Sequence, residues 1–272
     1  MNEHMLSCNM RGKMKDMDSL STSCAVNPTC QARIENAIEI IRQHSEEARD
    51  IIDRYLLPSD DKRHLTEAQT VKLLQKMNVR VCICIFCYAQ KALRYRESNS
   101  KKFAKNGEFL AVERSMDELP SVNPREFQGL KPFRLEAMGD LINVAHAKNY
   151  LKMCIKNGYA DFALWTKNPH LLWGAVIEMN GKPKNLQCVL SSFFIDKPDE
   201  VVYWKYNRMC MDKFGYPLFD KLMTIWTESG AKAKNVQFNC CGADGMKDRK
   251  CKNCLNCYKH ENYNEFVNEL LR

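Results

Sequence analysis

Three cysteines near the end of the chain have a spacing that suits metal ligation. Cys251, Cys254 and Cys257 recur at every third position, shortly after Cys240 and Cys241. A C-x2-C spacing lets two thiolates reach one metal ion across a tight turn, and its repetition supplies three ligands from one short loop. Because this doubled pattern is commoner around iron–sulfur clusters than around zinc, we predict a cluster here. Its predicted ligands are Cys241, Cys251, Cys254 and Cys257, with Cys240 as a neighbour or substitute.

A second set of cysteines lies far upstream. Cys84 and Cys87 share the C-x2-C spacing, Cys82 is close by, and an earlier pair is formed by Cys24 and Cys30. The segment between the two pairs is predicted to be helical and to fold back on itself, which would bring its ends together. The predicted ligands of this second centre are Cys30, Cys84 and Cys87, with Cys24 or Cys82 as the remaining member. The alternatives for either set are a structural zinc site and a group of ordinary thiols.

Composition is that of an ordinary globular protein. The chain has 272 residues, of which 45% are hydrophobic and 27% charged, which suits one large domain or two small ones and allows a substantial core. No apolar run is long enough to cross a membrane, and the first residues lack the apolar core of a signal peptide, so a cytoplasmic location is expected. Disulfides are disfavoured there, and the 14 cysteines need another explanation. Cys154, Cys188 and Cys210 stand alone in apolar segments and are predicted to be buried thiols.

The charge pattern excludes few classes of function. A formal net charge of +8 is compatible with nucleic-acid contact, but the lysines and arginines are spread along the chain. No recognition helix, zinc finger or RNA-binding motif is present, so we interpret the charge as solvated surface. The six histidines are scattered, and no glycine-rich phosphate loop exists, which leaves triad catalysis and nucleotide binding without support.

Hydrophobic periodicity predicts alternating strands and helices after Pro132. Predicted strands are Met14 to Ser23, Phe133 to Met138, Asp161 to Thr166, Leu186 to Ile195 and Val236 to Phe238, with Cys82 to Phe86 a strand or loop. Predicted helices run from Gln31 to Tyr55, Thr66 to Met77, Tyr88 to Arg96, Lys101 to Met116, Ala145 to Lys156, His170 to Met179, Leu218 to Thr227 and Asn262 to Leu271. This order indicates an α/β domain over 1–272 with a parallel sheet, a helical insertion at 31–80 and a cysteine-rich segment at 236–260.

Ligand sites of parallel sheets gather at the carboxyl ends of the strands. Cys24 and Cys30 follow the first predicted strand, Gly139 and Asp140 follow another, and Cys240 follows the last. We therefore expect both cysteine sets at one edge of the sheet.

One predicted strand carries an unusual pair of charges. Alternation would turn Phe133 and Leu135 toward covering helices, and would put Arg134 and Glu136 together on the opposite face. A buried charged pair needs either partners or a function. The two open explanations are that Arg134 and Glu136 satisfy each other or other buried polar groups, and that they have a role in substrate or cofactor binding.

Several motifs together are similar to those of the phage-associated gene product 88 family. In chain order they are Gly12-Lys13-Met14, Ser21-Thr22-Ser23-Cys24, Asn27-Pro28-Thr29-Cys30, Cys84-Ile85-Phe86-Cys87-Tyr88, Phe133 to Leu141, Phe162 to Lys167, and Cys241-Gly242-Ala243 with the three tail cysteines. The resemblance spans almost the whole chain. It implies a protein of a bacterial or phage-infected cell and supports the cluster sites more than any particular activity.

That family in turn resembles radical S-adenosylmethionine enzymes. The resemblance implies a partial (β/α) barrel in which cysteines after the first strand hold a 4Fe–4S cluster that binds S-adenosylmethionine. Glu136, Gly139 and Asp140 would then line the cofactor side, and the substrate, a small molecule or a macromolecule, is not identified. The usual C-x3-C-x2-C motif is replaced here by the Cys82 to Cys87 run. The alternative is a zinc-stabilised module that contacts nucleic acid or a phage partner; electron transfer through two clusters is a third hypothesis.

Overall fold

The structure is a computed structural model that describes residues 5–8, 14–22, 27–87, 97–238, 250–259 and 265–271. The strands in these ranges are β1 (Ser7–Cys8), β2 (Asp18–Leu20), β3 (Pro132–Leu135), β4 (Asp161–Thr166), β5 (Leu186–Ser191), β6 (Lys221–Trp226) and β7 (Phe266–Leu270). The helices are α1 (Pro28–His44), α2 (Glu46–Leu56), α3 (Glu67–Lys76), α4 (Glu97–Leu110), α5 (Val144–Lys156), α6 (Pro169–Glu178), α7 (Glu200–Phe214), α8 (Glu228–Ala233) and the single turn α9 (Cys251–Cys254). A 3₁₀ turn spans Ile83–Phe86.

The sheet confirms the predicted α/β class. Its seven strands lie in chain order, β1 to β7, and every neighbouring pair is parallel except β1 and β2. Doubly wound sheets reverse their strand order at a switch point. The order here does not reverse, and a sheet wound in one direction is compatible with a partial barrel.

The two faces of the sheet differ in what covers them. On the outer face, apolar strand residues such as Leu135 and Leu164 pack against Tyr150 and Leu151 of α5 in the main core. The opposite face, which we call the inner face, carries Arg134, Ala163, Trp165, Val189, Lys221, Met223 and Val267. The cysteine-rich segment 250–259 packs on this inner face.

The helices α1, α2 and α3 and the 3₁₀ turn have a core of their own. Ile52 and Leu74 are fully buried in it, and the rings of Tyr55 and Phe86 meet edge to face at 4.8 Å. The predicted helix from Gln31 to Tyr55 is in fact two, because the Ser45 side chain accepts a hydrogen bond from the backbone N–H of Ala48 and so caps a new helix. The helix α3 opens with the capping box that its sequence predicts.

Three predictions for the last third of the chain are wrong. The segment predicted as a helix from Leu218 to Thr227 contains β6, and the long helix α7 lies before it. The segment predicted as a helix up to Leu271 contains β7, and Val236 to Phe238 forms no strand. Both misassigned strands are short, and a short apolar run does not distinguish a buried strand from a helix. Pairing of β6 with β5 and β7 decides the outcome.

The helix predicted from Lys101 to Met116 is α4, which begins earlier, continues through Gly107 and ends at Leu110. A Cβ atom at Gly107 would lie 3.2 Å from Cδ1 of Ile142, so the missing side chain allows close packing. The predicted helix from Tyr88 to Arg96 lies outside the described residues. The run from Cys82 to Phe86 is mostly a 3₁₀ turn.

Candidate metal centres

Cys30 is held at the carboxyl end of the sheet by a helix cap. The side chain of Asn27 accepts hydrogen bonds from the backbone N–H groups of Thr29 and Cys30, at 3.0 and 3.3 Å. Its amide also donates to the carbonyl of Asp140 at 3.0 Å, just beyond β3. The first turn of α1 is thereby fixed against the loop after β3, and the buried Cys30 thiol lies in that turn.

The segment with Cys82 and Cys84 is fastened to the loop after β5. Ile83 N–H donates to the carbonyl of Phe193 at 2.9 Å, and Ile195 N–H donates to the carbonyl of Val81 at 3.0 Å. This pairing carries Cys84 to the same end of the sheet as Cys30. A hydrogen bond from the Cys82 thiol lowers the pKa of Cys84 to about 6, although burial opposes it. The pKa of Cys82 is raised in turn, because its proton is held by Cys84.

Arg33 lies close to both the Cys30 and the Cys84 thiols. Arg33 donates to Oδ1 of Asn168 at 2.6 Å, lies 3.5 Å from the carboxylate of Asp140 and stacks over the ring of Phe193 at 4.7 Å. Burial acts to lower the pKa of Arg33, but Asp140, Cys84 and Cys30 outweigh it and the pKa is raised. Cys30 and Cys84, far apart in sequence, therefore lie beside the same guanidinium. Lys167 adds a second positive charge that helps to lower the pKa of Cys84.

Glu136 does not lie where the alternation placed it. The residue has φ 55°, so the strand pattern breaks and the carboxylate turns toward α5. It accepts hydrogen bonds from the Thr22 backbone N–H at 3.1 Å and the Tyr150 hydroxyl at 2.5 Å, and His146 Nε2 lies 3.3 Å away without hydrogen-bond geometry. Other buried polar groups therefore satisfy Glu136, as one of the two explanations has it, and Glu136 does not pair with Arg134. Arg134 instead stacks over Trp165 at 4.0 Å.

Gly139 and Asp140 complete this polar network. A Cβ atom at Gly139 would lie 1.9 Å from Oε2 of Glu136, so only glycine fits beside the buried carboxylate. Asp140 accepts from the Thr166 hydroxyl at 2.5 Å and from the backbone N–H of Lys167 at 3.1 Å. Protein donors thus occupy both carboxylates, and their direct effect is to fix the ends of β2, β3 and β4.

The tail cysteines lie on a compact turn. Cys251 and Cys254 are three positions apart on the single helical turn α9, and Leu255, with φ 54°, ends that turn before Cys257. Residues three apart on a helix share a face. The side chains of Leu255 and Tyr258 are buried against the inner face.

Contacts from loops that precede strands hold this turn. Lys252 pairs with Asp16 at 2.6 Å before β2, and the Gln128 amide donates to the carbonyl of Asn253 at 3.3 Å before β3. The tail therefore enters the inner face from the amino side of β2 and β3, whereas Cys30 and Cys84 lie beyond the carboxyl ends. The expectation that both sets share one edge of the sheet is wrong.

Buried charge faces the tail thiols. Lys221 is only 1% exposed; burial lowers its pKa, while Cys257, Asp220 and Cys254 oppose that shift. Burial also raises the pKa of Tyr258, with Arg134 opposing and Cys251 and Cys257 adding to the rise. Cys254 and Cys257 thus lie near the buried Lys221, and Cys251 and Cys257 lie near Tyr258, which Arg134 contacts.

The structure describes only some of the remaining predicted ligands. Cys24, Cys240 and Cys241 lie outside the described residues, and Cys87 is half-buried after the 3₁₀ turn. In the described ranges no group of three Cys, His, Asp or Glu side chains is close enough to hold a metal ion. The soft sulfur donors suit zinc or iron–sulfur clusters, and each set has a predicted member beyond those ranges. The isolated thiols Cys154, Cys188 and Cys210 are buried, as predicted.

Sequence reasoning missed the basic residues beside the thiols. Arg33 lies three positions after Cys30 and so shares its helix face, which was a usable indication. Lys221 opens an otherwise apolar strand, but that strand was predicted as a helix.

Comparisons with known proteins added no relatives: no family model, no curated protein and no solved structure matched the chain. No helix of the described residues is long and apolar enough to cross a membrane.

Proposed function

We propose that this protein binds iron–sulfur clusters through two sets of cysteine thiolates. The observation that carries the proposal is the meeting of Cys30 and Cys84 beside Arg33, at the carboxyl end of a parallel sheet. Thiolates, and not thiols, ligate metals, and neighbouring cations favour the thiolate form. Arg33 and Lys167 supply that positive charge for the set we call the rim set, which comprises Cys30, Cys84 and Cys87 with Cys24 or Cys82.

The second proposed set, the tail set, comprises Cys241, Cys251, Cys254 and Cys257. The compact turn of α9 presents Cys251 and Cys254 on one face, and the buried Lys221 and the half-buried Arg134 provide positive charge nearby. A bound cluster would supply one-electron transfer at either place. The chain's own residues would hold the sulfur atoms and balance their charge.

A radical S-adenosylmethionine-like activity is the enzymatic form of this proposal. It is favoured by the one-directional parallel sheet and by the cysteines at its carboxyl end. Asp140 holds Arg33 and the backbone of Lys167, and Glu136 holds Thr22 at the end of β2. We therefore assign Glu136, Gly139 and Asp140 a positioning role on the cofactor side rather than a direct bond to a cofactor.

Anaerobic purification tests the proposal directly. Iron and acid-labile sulfide should co-purify in similar amounts, with the brown colour of a cluster, and reduction with added S-adenosylmethionine should cleave that compound if the enzymatic form is right. A colourless protein with two zinc ions would overturn the cluster proposal. Iron and sulfide without cleavage would leave electron transfer as the function.

The second candidate is a zinc-stabilised binding module. The burial of Leu255 and Tyr258 beside the tail cysteines favours it, because a closed four-cysteine zinc site stabilises a fold without open coordination positions. In that case the expected partner is nucleic acid or a phage protein. Zinc content tests the module itself. A salt-dependent shift of labelled nucleic acid would then distinguish a nucleic-acid partner from a phage protein.

A further inference from the structure

A buried histidine beside Glu136 has a ring nitrogen without a hydrogen-bond partner among the described residues. The side chains of His146 and Glu136 are both fully buried, and the unpartnered atom is Nε2 of His146. The other ring nitrogen, Nδ1, accepts the backbone N–H of Ile142 at 3.2 Å. A neutral imidazole carries one proton, so Nε2 holds it and is a donor. Buried donors are nearly always paired, and an unpaired one needs an explanation.

The carboxylate of Glu136 is the nearest acceptor for that donor. Its Oε1 atom lies 3.3 Å from Nε2 of His146, slightly beyond an ordinary hydrogen bond and not aligned for one. Oε1 already accepts from the Tyr150 hydroxyl at 2.5 Å. The Thr22 hydroxyl lies 3.1 Å from Oε1 and 3.0 Å from Oε2, and the Thr22 backbone N–H donates to Oε2 at 3.1 Å. A small rotation of the carboxylate would therefore exchange Thr22 for His146 as its partner.

The backbone at Glu136 is strained in the observed position. Its φ of 55° lies in the left-handed region, where a residue other than glycine remains only if its surroundings hold it. Gly139 makes room for the carboxylate, because a Cβ atom there would lie 1.9 Å from Oε2 of Glu136 and 2.5 Å from Oγ1 of Thr22. The direction of the carboxylate thus depends on Thr22, and loss of that contact removes part of what holds it.

We infer that Glu136 is a two-position latch, which holds Thr22 in the observed position and bonds His146 in the other. In the second position the end of β2 is released, while the carboxylate keeps donors from His146 and Tyr150, both on α5. A buried carboxylate that lost its donors would be costly, and the second partner removes that cost. Thr22 lies two positions before Cys24, so the latch lets the segment that leads to a predicted ligand move while α5 stays in place. The inference itself needs no bound metal.

The test is a double-mutant cycle in the full-length protein. Thr22→Val removes the hydroxyl at nearly constant volume and so weakens the observed position. His146→Asn keeps an acceptor near Nδ1 for the Ile142 N–H but removes the donor at Nε2, whereas His146→Gln keeps a donor near Nε2. Chemical denaturation gives the unfolding equilibrium constants. Thr70→Val is the matched control, since the Thr70 hydroxyl donates to the carbonyl of Thr66 at the start of α3.

We expect Thr22→Val to raise the unfolding constant about tenfold more beside His146→Asn than in the parent, because coupling within one hydrogen-bond network is of this order. Beside His146→Gln, its effect should equal that in the parent. Thr70→Val should have the same effect in all three backgrounds. In ¹H–¹⁵N spectra of the imidazole, the Nε2–H proton should move downfield in Thr22→Val, because it gains a carboxylate acceptor.

Equal effects of Thr22→Val in the parent and beside His146→Asn, or an unmoved Nε2–H signal, would overturn the latch. His146 would then only cap the backbone of Ile142. A parent imidazole with its proton on Nδ1 would overturn the latch as well, since no donor would face Glu136. Should Thr22→Val fail to fold, Tyr150→Phe removes the other hydroxyl and carries the same expected coupling to His146→Asn. Metal content of the parent, measured alongside, decides the proposed function independently.

Discussion

The rim set and the tail set use the same C-x2-C spacing in different surroundings. Cys30 and Cys84 lie within a network of hydrogen bonds and charges that includes Arg33 and Asp140. Cys251 and Cys257 pack beside apolar side chains of the inner face, with Leu255 and Tyr258 buried between them and the sheet. Spacing thus predicts that a segment can ligate a metal, while the neighbouring residues determine how much the fold would depend on the proposed metal.

The residues around each set also imply that the stability of the fold depends on metal to a different degree at the two sets. The polar network at the rim is held by hydrogen bonds among protein groups, such as those from Thr166 and Lys167 to Asp140. The tail turn is attached to the sheet through the ion pair of Lys252 and through its buried side chains. We expect metal at the tail to contribute more to stability than metal at the rim.

The largest expected effect is that of Cys254→Ser. Loss of a ligand in the tail set should lower metal content and reduce the free energy of unfolding by roughly 3 kcal/mol or more, as loss of a metal commonly does. Solubility should fall at the same time. Cys84→Ser, its counterpart at the rim, should lower metal content with less than about 1 kcal/mol of destabilisation. Metal analysis and chemical denaturation measure both, and equal destabilisation would erase the distinction between the sets.

The second largest expected effect is that of Gly139→Ala. The added Cβ would lie 1.9 Å from Oε2 of Glu136, and the displacement of that carboxylate should cost about 3 kcal/mol. Metal at the rim should be lost while metal at the tail is retained. Gly158→Ala is the matched control, because the nearest atom lies 3.8 Å away in ordinary contact. A fully loaded rim in Gly139→Ala would show that the Glu136 network does not position the rim cysteines.

A smaller effect is expected from Arg33→Lys. Lysine keeps the charge but loses the stacking on Phe193 and the directed bond to Asn168, at a cost of about 1 kcal/mol. Metal affinity of the rim set should fall several-fold, and that of the tail set should not change. Arg33→Met should lower rim affinity further, and cobalt titration of the two variants would separate the effect of charge from that of geometry.

The smallest expected effect is that of Glu113→Gln, at a residue outside both sets. Hydrogen bonds from Lys148 and Lys152 lower the pKa of the exposed Glu113 to about 2. A carboxylate with a lowered pKa stabilises the fold above the pH at which the unfolded chain titrates, and that stability disappears as pH falls toward the lower value. Glu113→Gln should therefore cost less than about 1 kcal/mol at neutral pH and nothing near pH 2. Metal content at either set should be unaffected, as would be checked by metal analysis alongside thermal melts.

Particular elements show where prediction from sequence succeeded. The strand Asp161–Thr166 was predicted with its observed bounds, and α5 was predicted to within one residue at its start. Both have strong periodicity and clear breakers at their ends. The prediction failed at β6 and β7, where short runs owe their strand form to pairing with neighbours. It failed again at Glu136, where a positive φ turned the side chain to the other face.

The amino-acid sequence alone determined which residues can ligate a metal, where the strongly periodic helices and strands lie, and that the sheet is parallel. These properties are local, because side-chain chemistry, spacing and periodicity depend on near neighbours in the chain. Only the tertiary structure decided that the two cysteine sets reach the sheet from different ends, that Arg33 lies beside Cys30 and Cys84, and that Lys221 faces the tail set. Such contacts join residues far apart in sequence, and strand register and packing, which no local pattern encodes, bring them together.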